Sequence, residues 1–152
     1  MANKVANPRK VFNFLVEIDG IDQFEVQKIT LPEVGVEQVE HGDVNYKVKT
    51  AGQVTVGNMT MEKLKRIEGS SASAMEWLRS CQSQLAGGGL LAEQYKKIVI
   101  IKEMDTTGKA TLTRHICTGT WPTKISQNDL DRTGGDNIIQ TIEFSVDIYE
   151  QI

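Results

Sequence analysis

Hydrophobic and polar residues alternate with a period of two along much of this chain, which predicts a protein built mainly of β-strands. Phe12, Phe14, Val16 and Ile18 share one parity against Asn13 and Glu17, so Val11 to Ile18 reads as a half-buried strand closed by a turn at Asp19-Gly20. Phe24 and Val26 then alternate with Gln23, Glu25 and Gln27. The apolar parity shifts beyond Lys28, to Ile29 and Leu31, which predicts a bulge near Lys28. After Pro32 and Gly35, Val36 to His41 reads as a short, largely polar strand at an edge or against a partner. Between Gly42 and Gly52, Val44, Tyr46 and Val48 alternate with Asn45, Lys47 and Lys49, the pattern of a projecting hairpin arm. Val54 and Val56 lie on one parity and Met59 and Met61 on the other across Gly57-Asn58, read as one kinked strand.

The period changes once. Ser73 with Glu76 three residues on has the form of a capping box, and Ala74, Trp77, Leu78, Cys81 and Leu85 recur at helical spacing until Gly87-Gly88-Gly89, predicting a helix over Ala74 to Ala86. The β-branched run Ile98 to Ile101 predicts a strand covered on both faces, with the helix on one of them. Ala110 to Trp121 is β-forming, Ser126 to Asn137 reads as a surface loop, and Ile142, Phe144, Val146 and Ile148 alternate with Thr141, Glu143, Ser145 and Asp147 to the end. The sum is an antiparallel β-barrel or rolled β-sandwich of about seven strands with one packed α-helix, a single domain over residues 1–152.

Composition narrows the function. With 39% hydrophobic and 24% charged residues in 152, the chain can bury a core without metals or disulfides. No stretch is apolar enough to cross a bilayer, and the polar Met1 to Lys10 is unlike a signal peptide. A net charge of -3 argues against tight binding of a phosphate backbone. Cys81 and Cys117 fit no metal or disulfide pattern and are expected reduced and buried.

The candidate chemistry is thin. His115 and Cys117 share a strand face, but neighbours at that spacing stand ~7 Å apart and no residue in the sequence marks an orienting carboxylate, so packing is the expectation over catalysis. Asp129, Asp131, Thr133 and Gly134 copy the opening of a calcium loop, yet Gln140 stands where a bidentate Glu is needed. The glycine triplet closes a helix where a phosphate loop would open one. Lys63, Lys65 and Arg66 are flanked by Glu62 and Glu68 and read as a solvated turn, while Trp77 and the methionines read as packing. No catalytic, cofactor-binding or metal-binding residue is assigned.

Several segments, in order, resemble the tail tube family of contractile phage tails, which is related to injection-machine inner tubes and the type VI secretion tube protein. The opening F-x-F-x-V-E-I-D-G at Phe12 to Gly20 is similar to that family's first strand and turn, and Gly57 to Met61 to its G-N-L-T-L strand. Met75 to Leu78 resembles its helix. Cys117 to Lys124, C-T-G-T-W-P-T-K, resembles F-T-N-A-W-P-x-K and is followed by Asp129-Leu130 and the strand Gln140 to Phe144. The sequence departs from the family at Gly119 and Ile125, where a larger polar or aromatic residue is common.

The resemblance implies a structural, non-enzymatic subunit without cofactors, whose sheet edges join in hexameric rings that stack into a tube. Its partners would be other copies of itself, a tail sheath, a baseplate or initiator and a terminator, with DNA passing during ejection without tight binding. It implies a place in the virion tail after assembly in the host cytoplasm. On this reading the arm contacts the adjacent ring through Val44, Tyr46, Lys47 and Val48, and Gln23, Glu25, Gln27, Thr141, Glu143 and Asp147 are candidates to line a polar, modestly acidic channel. The alternatives are the inner tube of an injection or secretion machine carrying protein cargo, a monomeric ligand-binding β-barrel with an apolar cavity, and an enzyme built on His115 and Cys117.

Overall fold

The computed structural model describes residues 7–19, 26–66, 73–85 and 87–152. These form nine strands and two helices: β1 (Phe14–Glu17), β2 (Val26–Thr30), β3 (Val34–Gly42), β4 (Lys47–Val56), β5 (Met59–Leu64), α1 (Ser73–Cys81), α2 (Ala92–Tyr95), β6 (Lys97–Met104), β7 (Thr111–Gln127), β8 (Ile139–Ser145) and β9 (Ile148–Gln151). Seven strands make one antiparallel path, β1-β6-β7-β8-β5-β2, with β9 continuing the line of β8 along the same side of β7. The expected mainly β, rolled architecture is therefore present. It contains more strands than the alternation suggests because the runs read as continuous across Gly57-Asn58 and across Val146-Asp147 are each two strands; β3 and β4 form a ribbon of their own.

The core follows the inward parities. Met59 and Met61 from β5, Ile142 and Phe144 from β8, Val99 from β6 and Cys117 from β7 are all at 0% exposure. Each large apolar side chain so placed contributes roughly 1.5–3 kcal/mol by leaving water. Trp77 of α1 closes one end of this core, 5.5 Å from the Phe144 ring, and its indole Nε1 donates to the Tyr95 carbonyl at 2.7 Å. That bond ties α1 to the single turn of α2, which no sequence periodicity announces.

Strand β7 belongs to two parts of the sheet. Its first half pairs with β6 and β9, and its second half with β8. The chain bends between them at Gly119, whose φ of +68° lies in the left-handed region that glycine occupies without steric cost. A Cβ there would lie 2.3 Å from the Asp147 carboxylate oxygen.

Several expectations need correction. The arm runs from Val34 to Val56 and not only between the two glycines, because Val34↔Val56 and Val36↔Val54 pair below them. Gly57-Asn58 separates two strands in two sheets instead of kinking one, so the parity change marks a change of partner. The helix stops at Cys81, and Leu85 is fully exposed. In the run Ile98 to Ile101, Val99 and Ile101 face the core, while Ile98 is 58% exposed and Ile100 half-buried, so the second face is covered only in part. Lys63 is no part of a solvated turn: it points inward from β5 at 0% exposure, opposite the buried Gln140 of β8. Cys117 is buried and Cys81 half-buried, both as free thiols.

Candidate assembly surfaces

Two surfaces stand out from the packed body. The first is the outward side of the four-stranded run β7-β8-β5-β2. Inward positions there are occupied by Gln140, Ile142 and Phe144 of β8 and by Met59, Met61 and Lys63 of β5, so the alternate residues face away from the core. Register aligns them in rows across the strands. Lys28 lies beside Glu62, Glu62 beside Thr141, and Thr141 beside Ser126; in the next row Thr30 adjoins Thr60, Thr60 adjoins Glu143, and Glu143 adjoins Lys124. Asn58 Nδ2 donates to Glu143 at 2.9 Å, holding that carboxylate on this side.

Each row therefore holds one lysine and one glutamate among hydroxyl groups. Over these two rows the face is polar and balanced in charge, where the overall negative charge of the chain suggested an acidic one; next to them Leu64 and Ile139 pair on the same side. Of the sequence candidates, Thr141 and Glu143 lie in these rows, and Gln27 is exposed at the β2 bulge between Val26 and Lys28. Asp147 lies apart at the bend between β8 and β9, where its carboxylate accepts from Lys96 Nζ at 2.6 Å. Gln23 and Glu25 lie outside the described residues. Lys28, Glu62 and Lys124 join the face only through strand register, which sequence parity does not carry.

The second surface is the ribbon β3–β4. All nine residues of β3 are exposed. At its tip, Asp43 N–H donates to the Tyr46 carbonyl at 2.9 Å, and Val44 N–H donates to the Asp43 carboxylate at 2.7 Å. Val44 is 95% exposed and Tyr46 63%, large apolar surfaces at the end of an arm. Lys47 pairs loosely with Glu40 at 3.7 Å, and Val48 is nearly half exposed.

The residues that suggested chemistry are spent on packing. His115 is buried, its Nδ1 2.5 Å from the Tyr149 hydroxyl and its Nε2 hydrogen-bonded to the Glu103 carboxylate, so both ring nitrogens are engaged away from Cys117. The Arg9 guanidinium donates to Thr113 at 2.5 Å and to Glu103 at 3.4 Å. The bond from His115, followed by that from Arg9, holds the Glu103 carboxyl below its ordinary range. Burial pushes the Cys117 thiol up to about 11, which leaves it protonated and a poor nucleophile at neutral pH. Its Sγ lies 4.0 Å from the Met59 sulfur.

The loop that copies a calcium site is an Asx turn. Asp131 accepts from Thr133 N–H at 3.0 Å and from its hydroxyl at 2.8 Å, bonds that lower the Asp131 carboxyl. Its would-be twelfth ligand, Gln140, is buried in β8. No group of three or more potential ligand side chains lies close enough for a metal among the described residues. The base of this loop is pinned by Asn128, which donates to the Asn137 carbonyl and accepts from Ile139 N–H.

Comparison with known proteins places this architecture. The family model described as T4-like virus tail tube protein gp19 matches residues 10–150. The tail tube protein gp19 of Enterobacteria phage T4 is 30% identical over 140 residues, covering 88% of this chain and 84% of its own. Among solved structures, the anti-feeding prophage tube-terminating cap superposes with a TM-score of 0.82 at 19% identity, covering all of this chain and 95% of that one. A chain of the PVC sheath–tube complex, from an extracellular contractile injection system in the extended state, gives 0.76 at 20% identity, covering 95% and 91%.

Proposed function

The chain belongs to the T4-like virus tail tube protein gp19 family, a structural and not an enzymatic one, and from that premise we propose that its copies close into hexameric rings that stack as the inner tube of a contractile tail. The observation that carries this reading is the four-stranded run β7-β8-β5-β2. Both of its end strands, β2 and the Trp121–Gln127 half of β7, have one side unpaired among the described residues, and such edges are templates for pairing. Because every neighbour in the run is antiparallel, β2 and β7 point in opposite directions. Joining β2 of one copy to β7 of the next continues the alternation without a break, and a rotation that closes makes a ring whose wall is one continuous sheet.

The balanced rows of Lys, Glu, Thr and Ser would then face the channel. A wall of that kind has no net basic charge with which to displace the counterions of DNA, so a duplex passes without sticking. On the outside the tube would meet a sheath, and at its ends a baseplate or initiator and a terminator. The tube would reside in the virion tail after assembly in the host cytoplasm. A second reading, an injection machine carrying protein cargo, is favoured by the fold likeness to chains of extracellular contractile injection particles. Particles recovered from producing cells separate the two by whether the tube is attached to a DNA-filled head.

Electron microscopy of the purified chain at high concentration tests assembly. Rings or tubes with a central channel are expected. Monomers at the same concentration, persisting when baseplate is added to seed growth, would refute it. Deleting residues 43–51 is expected to leave a folded chain that forms no long tubes.

A further inference from the structure

The apolar side of the arm changes face halfway along its length. At the root, Val34 and Val36 of β3 share one side with their cross-strand partners Val56 and Val54. Between the pairs Val36↔Val54 and Gln38↔Ala51, two steps along β3 are matched by three along β4, so β4 carries one extra residue. Beyond this bulge the first side is polar, with Glu40 against Lys47 and Lys49. The apolar residues Val39 and Val48 now lie on the opposite side, together with His41 and Thr50, which are hydrogen-bonded to each other. Gly52 sits in the bulge, where a Cβ would come 3.0 Å from a Val39 methyl. The valine parity of β3 shifts at the same point, from Val36 to Val39, so sequence and backbone agree.

Val56, at the base of the root side, packs against the core, but beyond it the valines of both sides stay open. Val36 and Val54 are 54% and 62% exposed at the root, and Val39 and Val48 are 41% and 47% exposed further out. A two-stranded ribbon is at best marginally stable in water by itself, so it needs cover on whichever side is apolar. We propose that two different copies of this chain supply it: a neighbour in the same ring covers the root side, and a copy in the adjacent ring covers the outer side with Tyr46. Val34 follows Thr30 by four residues, at most about 14 Å of chain, which keeps the root beside the β2 edge where the ring neighbour joins. The nine residues of β3 carry the tip about 30 Å farther, roughly the diameter of a small domain and enough to reach a second copy beyond. The inference rests on the ring reading and adds a division of labour within one arm.

Two double variants test it, each swapping a cross-strand pair for an opposite-charge pair that preserves the ribbon. Val36→Glu with Val54→Lys alters the root side, and His41→Lys with Val48→Glu alters the outer side. Sedimentation velocity and electron microscopy of each are compared with the unmodified chain, with circular dichroism confirming the fold. The root variant is expected to lose rings and run as a monomer, and the outer variant to form rings that do not stack. If both variants lose the same step, or both build tubes as the unmodified chain does, the division is overturned while the ring reading stands. An unmodified chain that forms no ring under any condition overturns both.

Discussion

Replacing Gly119 by alanine should destabilise the chain by about 2–5 kcal/mol, for two separable reasons. An L-residue with a side chain at φ +68° costs about 1–2 kcal/mol more than glycine. The added Cβ also falls 2.3 Å from the Asp147 carboxylate oxygen and 2.9 Å from the Asp147 Cβ. Asp147 must turn away and give up Lys96, and crowding of this kind typically costs about 1–3 kcal/mol. The clash cannot be relieved by the carboxylate alone, because the Asp147 N–H donates to the Thr118 carbonyl at 3.1 Å and fixes the backbone there. Urea unfolding checks this at dilutions where the midpoint no longer depends on protein concentration. In an Asp147→Gly background the same substitution should cost only the backbone share, a coupling of at least about 1 kcal/mol in the double-mutant cycle. A Gly119→Ala chain within about 0.5 kcal/mol of the parent, or a cycle with no coupling, would refute the reasoning. The physics also accounts for the family departure at this position: glycine and asparagine, which stands in the related F-T-N-A-W-P motif, are the residues that most readily adopt positive φ.

Three further outcomes follow from the packing. Trp77→Phe removes the donor to the Tyr95 carbonyl and weakens the cation–π contact from Lys97, 4.7 Å from the ring, so unfolding by urea should show a loss of about 1–3 kcal/mol. Because Glu103 has its folded carboxyl lowered by His115 and then Arg9, its stabilisation is present above the ordinary value of 4.5 and is lost as pH falls through the lowered one. The stability advantage over Glu103→Gln should therefore shrink as denaturation is repeated below pH 4.5; an advantage that grows instead would reverse the assignment. Cys117, with its thiol raised to about 11, should resist alkylation at pH 8 until the chain unfolds, and mass spectrometry should find the half-buried Cys81 modified first.

Alternation along the sequence carries most of the body of the fold, because strands half in water and half in the core must alternate. β8 is the clearest instance, with Ile142 and Phe144 buried as their parity indicates; the pattern holds for Val146 just beyond it and fails at Ile148, which starts β9 and is exposed. The same rule falters wherever a bulge or a change of partner intervenes. β7 is legible only to Trp121, since the irregularity between Pro122 and Lys124 breaks its parity, yet it pairs as far as Gln127. The buried Lys63 and Gln140 escape a reading based on hydropathy, as polar side chains inside a sheet do. Parity likewise marks Thr141 and Glu143 as outward-facing. The balance of their rows depends on Lys28, Glu62 and Lys124, which come from other strands, and only register brings those together. The helical pattern overruns because Leu85 continues the spacing after the hydrogen bonds have stopped; Gly89 already approaches the Cys81 carbonyl there, and a Cβ on it would lie 2.0 Å from that oxygen.

The order of the strands has a consequence for synthesis. β1 pairs with β6, and β5 with β8, partners separated by about half the chain, and β7 acquires its second flank only when β8 and β9 exist. The barrel thus waits for β8 and β9 to leave the ribosome. The arm does not wait, since β3 and β4 are joined by a four-residue tip and a hairpin of that kind forms in about 1–10 μs. At about 5–20 residues per second, the stretch from Gly57 to Gln151 takes roughly 5–20 s to emerge. For those seconds the nascent chain already carries the ribbon proposed to join one copy to another, exposed valines included, while the body that should accompany it is still unfinished.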